Sequence, residues 1–127
     1  IPDTAEGEDC SKFIRGTEDK NRVSFIMACP GRADFVEKFK KSGKNPAEFG
    51  WRGVRTQEYT YVMELGYDVI SNPKRYLYDI KNDPQQKTIL DLEIEENKRL
   101  AKKMEEEVIK WMERQNDGFL KNWKTAI

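Results

Sequence analysis

The spacing of apolar residues divides the chain into a strand-rich first part and a helix-rich last part. Four short runs rich in β-branched and aromatic residues are typical of strands: Val23 to Ala28, Trp51 to Thr56, Tyr59 to Glu64 and Tyr76 to Ile80. In the third run, Tyr59, Tyr61 and Met63 are spaced two apart, so they share one face of the strand. Because only Gln57-Glu58 separates the second run from the third, we predict a tight hairpin there.

Two of these strands carry apolar residues on both faces. In the first strand, Ile26 points away from the face that holds Phe25. In the fourth strand, we predict that Tyr76 and Tyr78 face inward, which places Leu77 on the second face. A strand that is apolar on both faces is usually covered on both faces. We therefore predict a sheet between two layers, of which this chain encodes only one.

Helical spacing occurs in three places. Ser11 to Gly16 predicts a short helical turn with Phe13 and Ile14 as its apolar anchors. Asp34 to Lys41 predicts one or two turns of helix, and Leu92 to Gln115 predicts a long helix. The long helix has one apolar stripe, and its opposite face carries lysine and glutamate, which is typical of a solvated surface.

The order of these elements gives the fold class. We predict an α+β fold with a small antiparallel sheet of about four strands and a long C-terminal helix packed on one face. Residues 1–22 are predicted to be a linker and lead-in, and residues 23–127 to form the domain. Between sheet and helix, Asn82-Asp83-Pro84 ends the fourth strand, and Asp83 is predicted to cap a helical turn.

Composition argues against several classes of function for this chain. The 127 residues suffice for one domain or subdomain, and the 23 basic residues balance the 23 acidic ones, which gives no reason to propose nucleic acid as a partner. No apolar run approaches the length of a membrane span. The absence of histidine excludes imidazole-based catalysis and His-based zinc sites within this chain. The chain begins with Ile1 instead of Met, which is typical of a part of a longer or processed protein, so its cellular address stays open.

Two cysteines, Cys10 and Cys29, do not define a disulfide framework, and whether they form a bridge is left open. Cys29 starts a long connection that ends at Gly50. A connection of this length in a small domain is often functional, and the alternative is a surface excursion anchored by its phenylalanines. We favour the surface excursion on the sequence alone.

Acidic and basic side chains around the hairpin offer two kinds of chemistry. Asp79 and Asp83 are carboxylates of the type that calcium binds, but a turn and a cap explain both. Arg52 and Arg55 carry guanidinium groups, which bind sulfate, phosphate or carboxylate in a bidentate manner. The alternative is that Arg55 forms an ordinary ion pair with Glu58 or Asp79, or packs its stem on Trp51.

Three stretches together carry a family resemblance. Residues 52–61 read R-G-V-R-T-x-x-Y-x-Y, residues 77–84 read L-Y-D-I-x-N-D-P, and the opening residues 1–16 read I-P-D-T-A-E-G-E-D-C-S-K-F-I-R-G. In this order, and followed by a charged C-terminal helix, they resemble the C-terminal part of the sulfatase family within the alkaline-phosphatase-like superfamily. The resemblance covers almost the whole chain. The family's catalytic portion has no counterpart in these 127 residues.

The resemblance implies a parent protein that hydrolyses sulfate esters or a related sulfamate. This part would complete the fold and line the substrate cleft, with Arg52 and Arg55 as substrate-binding residues, and it would be inactive alone. The implied partners are the catalytic domain of the same polypeptide and, through the parent, a sulfated small molecule or glycan. The isolated part is expected to self-associate, and the parent to be exported to the periplasm, the lysosome or the medium.

The same resemblance implies no cofactor in this chain. It places calcium and formylglycine in the missing catalytic domain, where formylglycine is the oxidised form of a cysteine or serine. Cys29-Pro30-Gly31-Arg32 has proline and arginine at the wrong spacing for the formylglycine motif. Two alternatives stay open: the C-terminal part of a related phosphodiesterase or phosphotransferase, and a stand-alone protein-interaction module.

Overall fold

The computed structural model describes residue 3, residues 11–16 and residues 22–127, and of Phe13 it describes only the backbone. One antiparallel sheet contains four strands in chain order: β1 Ser24–Ala28, β2 Gly50–Arg55, β3 Tyr59–Gly66 and β4 Lys74–Asp79. The predicted fold class and the four strand positions are confirmed. The predicted hairpin turn is also present, because the Thr56 hydroxyl accepts hydrogen bonds from the backbone N–H groups of Glu58 and Tyr59 at 3.2 and 3.0 Å.

Three helices lie where helical spacing predicted them: α1 Ser11–Ile14, α2 Ala33–Lys41 and α3 Glu95–Arg114. A further helix, α4 Phe119–Ala126, follows α3, and a 3-10 turn lies at Pro46–Glu48. In α1, Ile14 is 82% exposed, so the prediction that it is an apolar anchor is wrong. The anchor role of Phe13 and the predicted lead-in character of residues 4–10 and 17–21 lie outside the described residues. None of the described helices has an apolar stretch long enough to cross a membrane.

Both C-terminal helices cover the same face of the sheet. The register aligns Val54 of β2, Tyr61 of β3 and Leu77 of β4 across that face. These three side chains join the apolar stripe of α3, represented by Val108, and the indole of Trp123 from α4 in one buried core cluster. We call this side the covered face.

The predicted orientation of β4 is wrong. Leu77 is fully buried on the covered face, whereas Tyr76 and Tyr78 lie half-buried on the opposite side. Side chains alternate along a strand, so an error of one residue in its orientation exchanges the faces of every side chain. The pairing of Leu77 with Tyr61 sets the orientation, and this pairing cannot be read from the apolar pattern of β4 alone.

The chain crosses from β4 to α3 without a helix at Asp83. The backbone N–H of Gln86 donates to the Asp83 carbonyl at 3.0 Å, which closes a single turn. The Asp83 carboxylate accepts from the Thr88 N–H at 2.9 Å, so it stabilises a loop and does not cap a helix as predicted. The Leu90 N–H then donates to the Leu77 carbonyl at 2.8 Å, which fixes this loop along the outer edge of β4.

Candidate functional site

Arg52 lies inside the protein. Its position in β2, opposite Met27 and Met63, places the side chain on the covered face, where it is 1% exposed. Its Nε and one terminal nitrogen donate to the two carboxylate oxygens of Asp117 at 2.6 and 3.1 Å, and its guanidinium lies 4.7 Å from the centre of the Phe119 ring. The pair is therefore a buried, bidentate salt bridge between the sheet and the start of α4.

The remaining donors of Arg52 hold backbone carbonyls of neighbouring segments. One terminal nitrogen donates to Ala47 at 2.8 Å, and the other donates to Phe49 and Trp51 at 3.3 and 3.1 Å. The thiol of Cys29 accepts a longer contact at 3.8 Å. Arg52 thus ties both ends of the Cys29–Gly50 connection to the core.

Asp117 is charged although it is mostly buried. Burial by itself would raise the pKa of this carboxyl, but the hydrogen bonds from Arg52 and from the Phe119 N–H, together with the charge of Arg52, hold the pKa below its ordinary value. In the sequence, the Asn116-Asp117-Gly118 segment indicates only a helix stop. An acidic residue next to a helix end gives no signal for a partner 65 positions away.

Arg55 has the opposite environment. It ends β2 opposite Ser24 and Thr60, and its side chain is exposed on the face that α3 and α4 leave open. The two carboxylates that the sequence offered as alternative partners are taken by other groups: Glu58 pairs with Lys81 at 3.5 Å, and Asp79 binds Asn82 at 2.8 Å. Within residues 22–127 the guanidinium of Arg55 therefore has no side-chain partner.

Two of the three phenylalanines that the surface-excursion interpretation offers as anchors, Phe39 and Phe49 but not Phe35, hold the Cys29–Gly50 connection. Phe39 of α2 and Phe49 are buried, and their ring centres are 4.8 Å apart. Phe35 is only half-buried and lies 4.5 Å below the guanidinium of Arg32. These anchors leave the lysines of α2 at the surface, and Lys41 pairs there with Glu37 at 3.2 Å.

A second polar cluster links the sheet to α3. The hydroxyl of Tyr61 donates to Glu105, and Arg75 donates to the same carboxylate at 2.9 Å while its guanidinium lies 4.9 Å from the Trp123 ring. Burial and the negative charge of Glu105 raise the pKa of Tyr61 far above its ordinary value. The phenol therefore stays a hydrogen-bond donor at neutral pH, and the cluster is structural.

Calcium, which the resemblance implies for the parent, needs several oxygen ligands that converge on one point. Asp79 accepts from the backbone N–H and the amide of Asn82, and these bonds lower its pKa. Asp83 is bound to Thr88. No three acidic or cysteine side chains of the described residues converge on one point. Cys29 carries a free thiol, and Cys10 lies outside the described residues.

The open side of the sheet has an apolar middle row between two rows of mixed polarity. The middle cross-strand row aligns Ile26, Gly53, Val62 and Tyr76. Gly53 has no side chain, and side-chain carbons of Ile26 and Val62 lie 3.3 and 3.2 Å from the point that a Cβ would occupy there. Trp51 on β2 and Tyr78 on the edge strand β4 lie in the two flanking rows, one on each side of this row.

The two flanking rows also carry polar or charged residues: Ser24, Arg55, Thr60, Glu64 and Lys74. Tyr76 belongs to the middle row but donates its hydroxyl to Glu64 at 2.7 Å, and burial raises its pKa to about 12. The hydroxyl of Thr60 is buried between Arg55 and Tyr78 and has no hydrogen-bond partner in the described part of the chain. We call this side, which carries Ile26, Trp51, Val62, Tyr76 and Tyr78, the open face.

Comparison with solved structures connects this fold to sulfatases. The chain is similar to yidJ of Bacteroides fragilis, a protein assigned as a sulfatase, with 27% identity and a TM-score of 0.63 over 94% of this chain. It shares its fold with a 4S-sulf protein of Bacteroides thetaiotaomicron, solved in a study of glycosaminoglycan metabolism, with 20% identity and a TM-score of 0.53 over 98% of this chain.

The match occupies only 22% of each of these two chains, so this chain has the fold of one part of a sulfatase-type protein. No protein-family profile matches the sequence, and no curated protein does. The class of protein therefore rests on the structural similarity and on the sequence resemblance described above.

Proposed function

We propose that this chain is the C-terminal part of a sulfatase, in which it completes the fold and lines the substrate cleft. The observation that carries the proposal is the similarity to yidJ along 94% of this chain at 27% identity. The order of the R-G-V-R-T and L-Y-D-I segments supports it independently. The parent protein would hydrolyse a sulfate ester, with its nucleophile and calcium in the catalytic domain, and this chain alone would be inactive.

The two predicted substrate-binding arginines take different roles in this proposal. Arg55 is exposed and unpaired within residues 22–127, so it is the one that we expect to bind a sulfate or carboxylate of the substrate. All donors of Arg52 are engaged inside the protein. We expect it to act indirectly, by holding the Cys29–Gly50 connection in the orientation that the cleft requires.

The first test is the complete open reading frame that contains this chain. We expect it to encode an upstream C-x-P-x-R or S-x-P-x-R motif, and the complete protein to hydrolyse an aryl sulfate. The 127-residue chain alone should release no sulfate in the same assay. An unmodified threonine or serine nucleophile with preference for an aryl phosphate would assign the parent to phosphoryl transfer instead. A frame that begins at or just before Ile1 would leave the sulfatase proposal without support.

Replacing Arg55 with alanine in the complete protein should raise the KM for a sulfated substrate about tenfold and leave kcat nearly unchanged, because one charge-assisted hydrogen bond in the ground state is lost. Arg55→Lys should recover part of the affinity, since it keeps the charge without the bidentate geometry. Arg99→Ala, on the exposed surface of α3, is the matched control and should leave KM unchanged. Equal KM values for Arg55→Ala and Arg99→Ala would exclude Arg55 from substrate binding.

A further inference from the structure

The open face does not have the surface expected of a sheet that meets water. An antiparallel sheet with one solvated face alternates between apolar and polar positions, so its outer face is polar. Here that face carries Ile26, Val62, Trp51 and two tyrosines, all of them half-buried. None of these five side chains belongs to the core cluster or packs against it, so α3 and α4 do not account for them.

The composition of this face is that of a protein interface. Interfaces are enriched in tryptophan, tyrosine and arginine. The open face combines Trp51, Tyr76 and Tyr78 with the apolar side chains of the middle row, and Arg55 lies beside them. Contiguous apolar patches on protein surfaces mark interaction sites. The unpartnered hydroxyl of Thr60 adds a polar group for which the described residues supply no acceptor.

We propose that the open face is the surface on which the remainder of the parent chain packs. This inference rests on the proposed function, since the two solved relatives contain the matched fold as only 22% of a longer chain. A large intramolecular partner is therefore present in such proteins. Its contact surface should be largely apolar, with an acidic group near Lys74 and an acceptor for the Thr60 hydroxyl, and it should leave Arg55 accessible to the substrate.

The first experiment is hydroxyl-radical footprinting of the complete protein, read by mass spectrometry. Trp51, Tyr76 and Tyr78 should be oxidised several-fold more slowly than their half-buried positions in this structure would allow. Met27 is 49% exposed on the other side of the sheet and serves as the internal reference. Oxidation of the three aromatic residues at the rates expected for a solvent-facing sheet would overturn the inference.

Footprinting at several protein concentrations distinguishes packing within one chain from association with a second copy. Intramolecular packing gives the same protection at every dilution. Protection that disappears on dilution, together with a change of mass in sedimentation, would assign the face to a second copy of the chain and overturn the inference.

A charge substitution gives an independent test. Val62→Glu in the complete protein should lower the midpoint of thermal unfolding by about 5 °C or more, because it would bury an unpaired carboxylate. Lys102→Glu, on the solvated face of α3, is the matched control and should leave the midpoint unchanged. An unchanged midpoint for Val62→Glu would show that the face meets water.

Sulfate hydrolysis is measured separately on the same preparations. Protection of the open face without hydrolysis of sulfate esters would support packing and count against the sulfatase proposal alone. Hydrolysis with an unprotected open face would retain the sulfatase proposal and overturn the packing inference.

Discussion

Replacing Arg52 with alanine should lower the free energy of unfolding by about 3–5 kcal/mol, as is typical when one partner of a buried salt bridge is removed. The mechanism is the uncompensated charge of Asp117, whose side chain is only 14% exposed. The carbonyls of Ala47 and Phe49 would lose their donor at the same time. Urea denaturation, followed by tryptophan fluorescence, measures the change.

An exposed salt bridge supplies the control for this experiment. Arg32 pairs with Asp34 at 2.5 Å, but both side chains are largely in solvent, so Arg32→Ala should lower the free energy of unfolding far less than Arg52→Ala. A similar loss of unfolding free energy in Arg32→Ala and Arg52→Ala would show that burial does not increase the contribution of the Arg52–Asp117 salt bridge to stability. Replacing both Arg52 and Asp117 by leucine should recover much of the loss, because no buried charge then remains.

The same pair predicts an acid dependence of stability. The folded-state pKa of Asp117 is lowered, so its carboxylate stabilises the fold above the unfolded-state pKa, about 3.9. That stabilisation is lost as the pH falls through the lower folded-state pKa. The free energy of unfolding of Asp117→Asn should therefore fall less steeply below about pH 4 than that of the unsubstituted chain. The same dependence of this free energy on pH in both chains would contradict the prediction.

Replacing Gly50 with alanine should cost about 3 kcal/mol or more, because two separate penalties add. Gly50 has a φ of +84°, a conformation that is strained for residues with a side chain. A Cβ at this position would also overlap the carbonyl oxygen of Ala28 and lie 2.9 Å from its carbonyl carbon, and this backbone of β1 cannot move alone. The substitution therefore has to separate β1 from β2 where the Cys29–Gly50 connection closes.

Gly66 is the matched control for this prediction. Its φ is +88°, but nothing lies within 4 Å of the position of a Cβ. Gly66→Ala should therefore show the conformational penalty alone, about 1–2 kcal/mol. The difference between the two variants in urea denaturation measures the contact with Ala28. Equal costs would show that the strands accommodate the added methyl group without separating.

Local pattern determined the elements of this fold. The strand and hairpin positions follow from β-branched and aromatic runs around Gln57-Glu58, and α3 follows from an apolar stripe at helical spacing. These signals lie within windows of a few residues, so they do not depend on what the segment packs against. The resemblance to sulfatases is likewise local, because short motifs around Arg52 and Leu77 carry it.

Only the tertiary structure decided which face each residue occupies and which partner it meets. Leu77 and its tyrosine neighbours exchanged faces relative to the prediction, because the orientation of β4 is set by pairing with β3. Arg52 and Arg55 are three residues apart in the sequence and are both arginines, yet one is buried in a salt bridge and the other is exposed. Their spacing puts them on opposite faces of a strand, and the packing of α3 and α4 on one face determines which arginine is enclosed. Asp117 completes the buried pair from 65 residues away, a distance at which sequence pattern carries no information about contact.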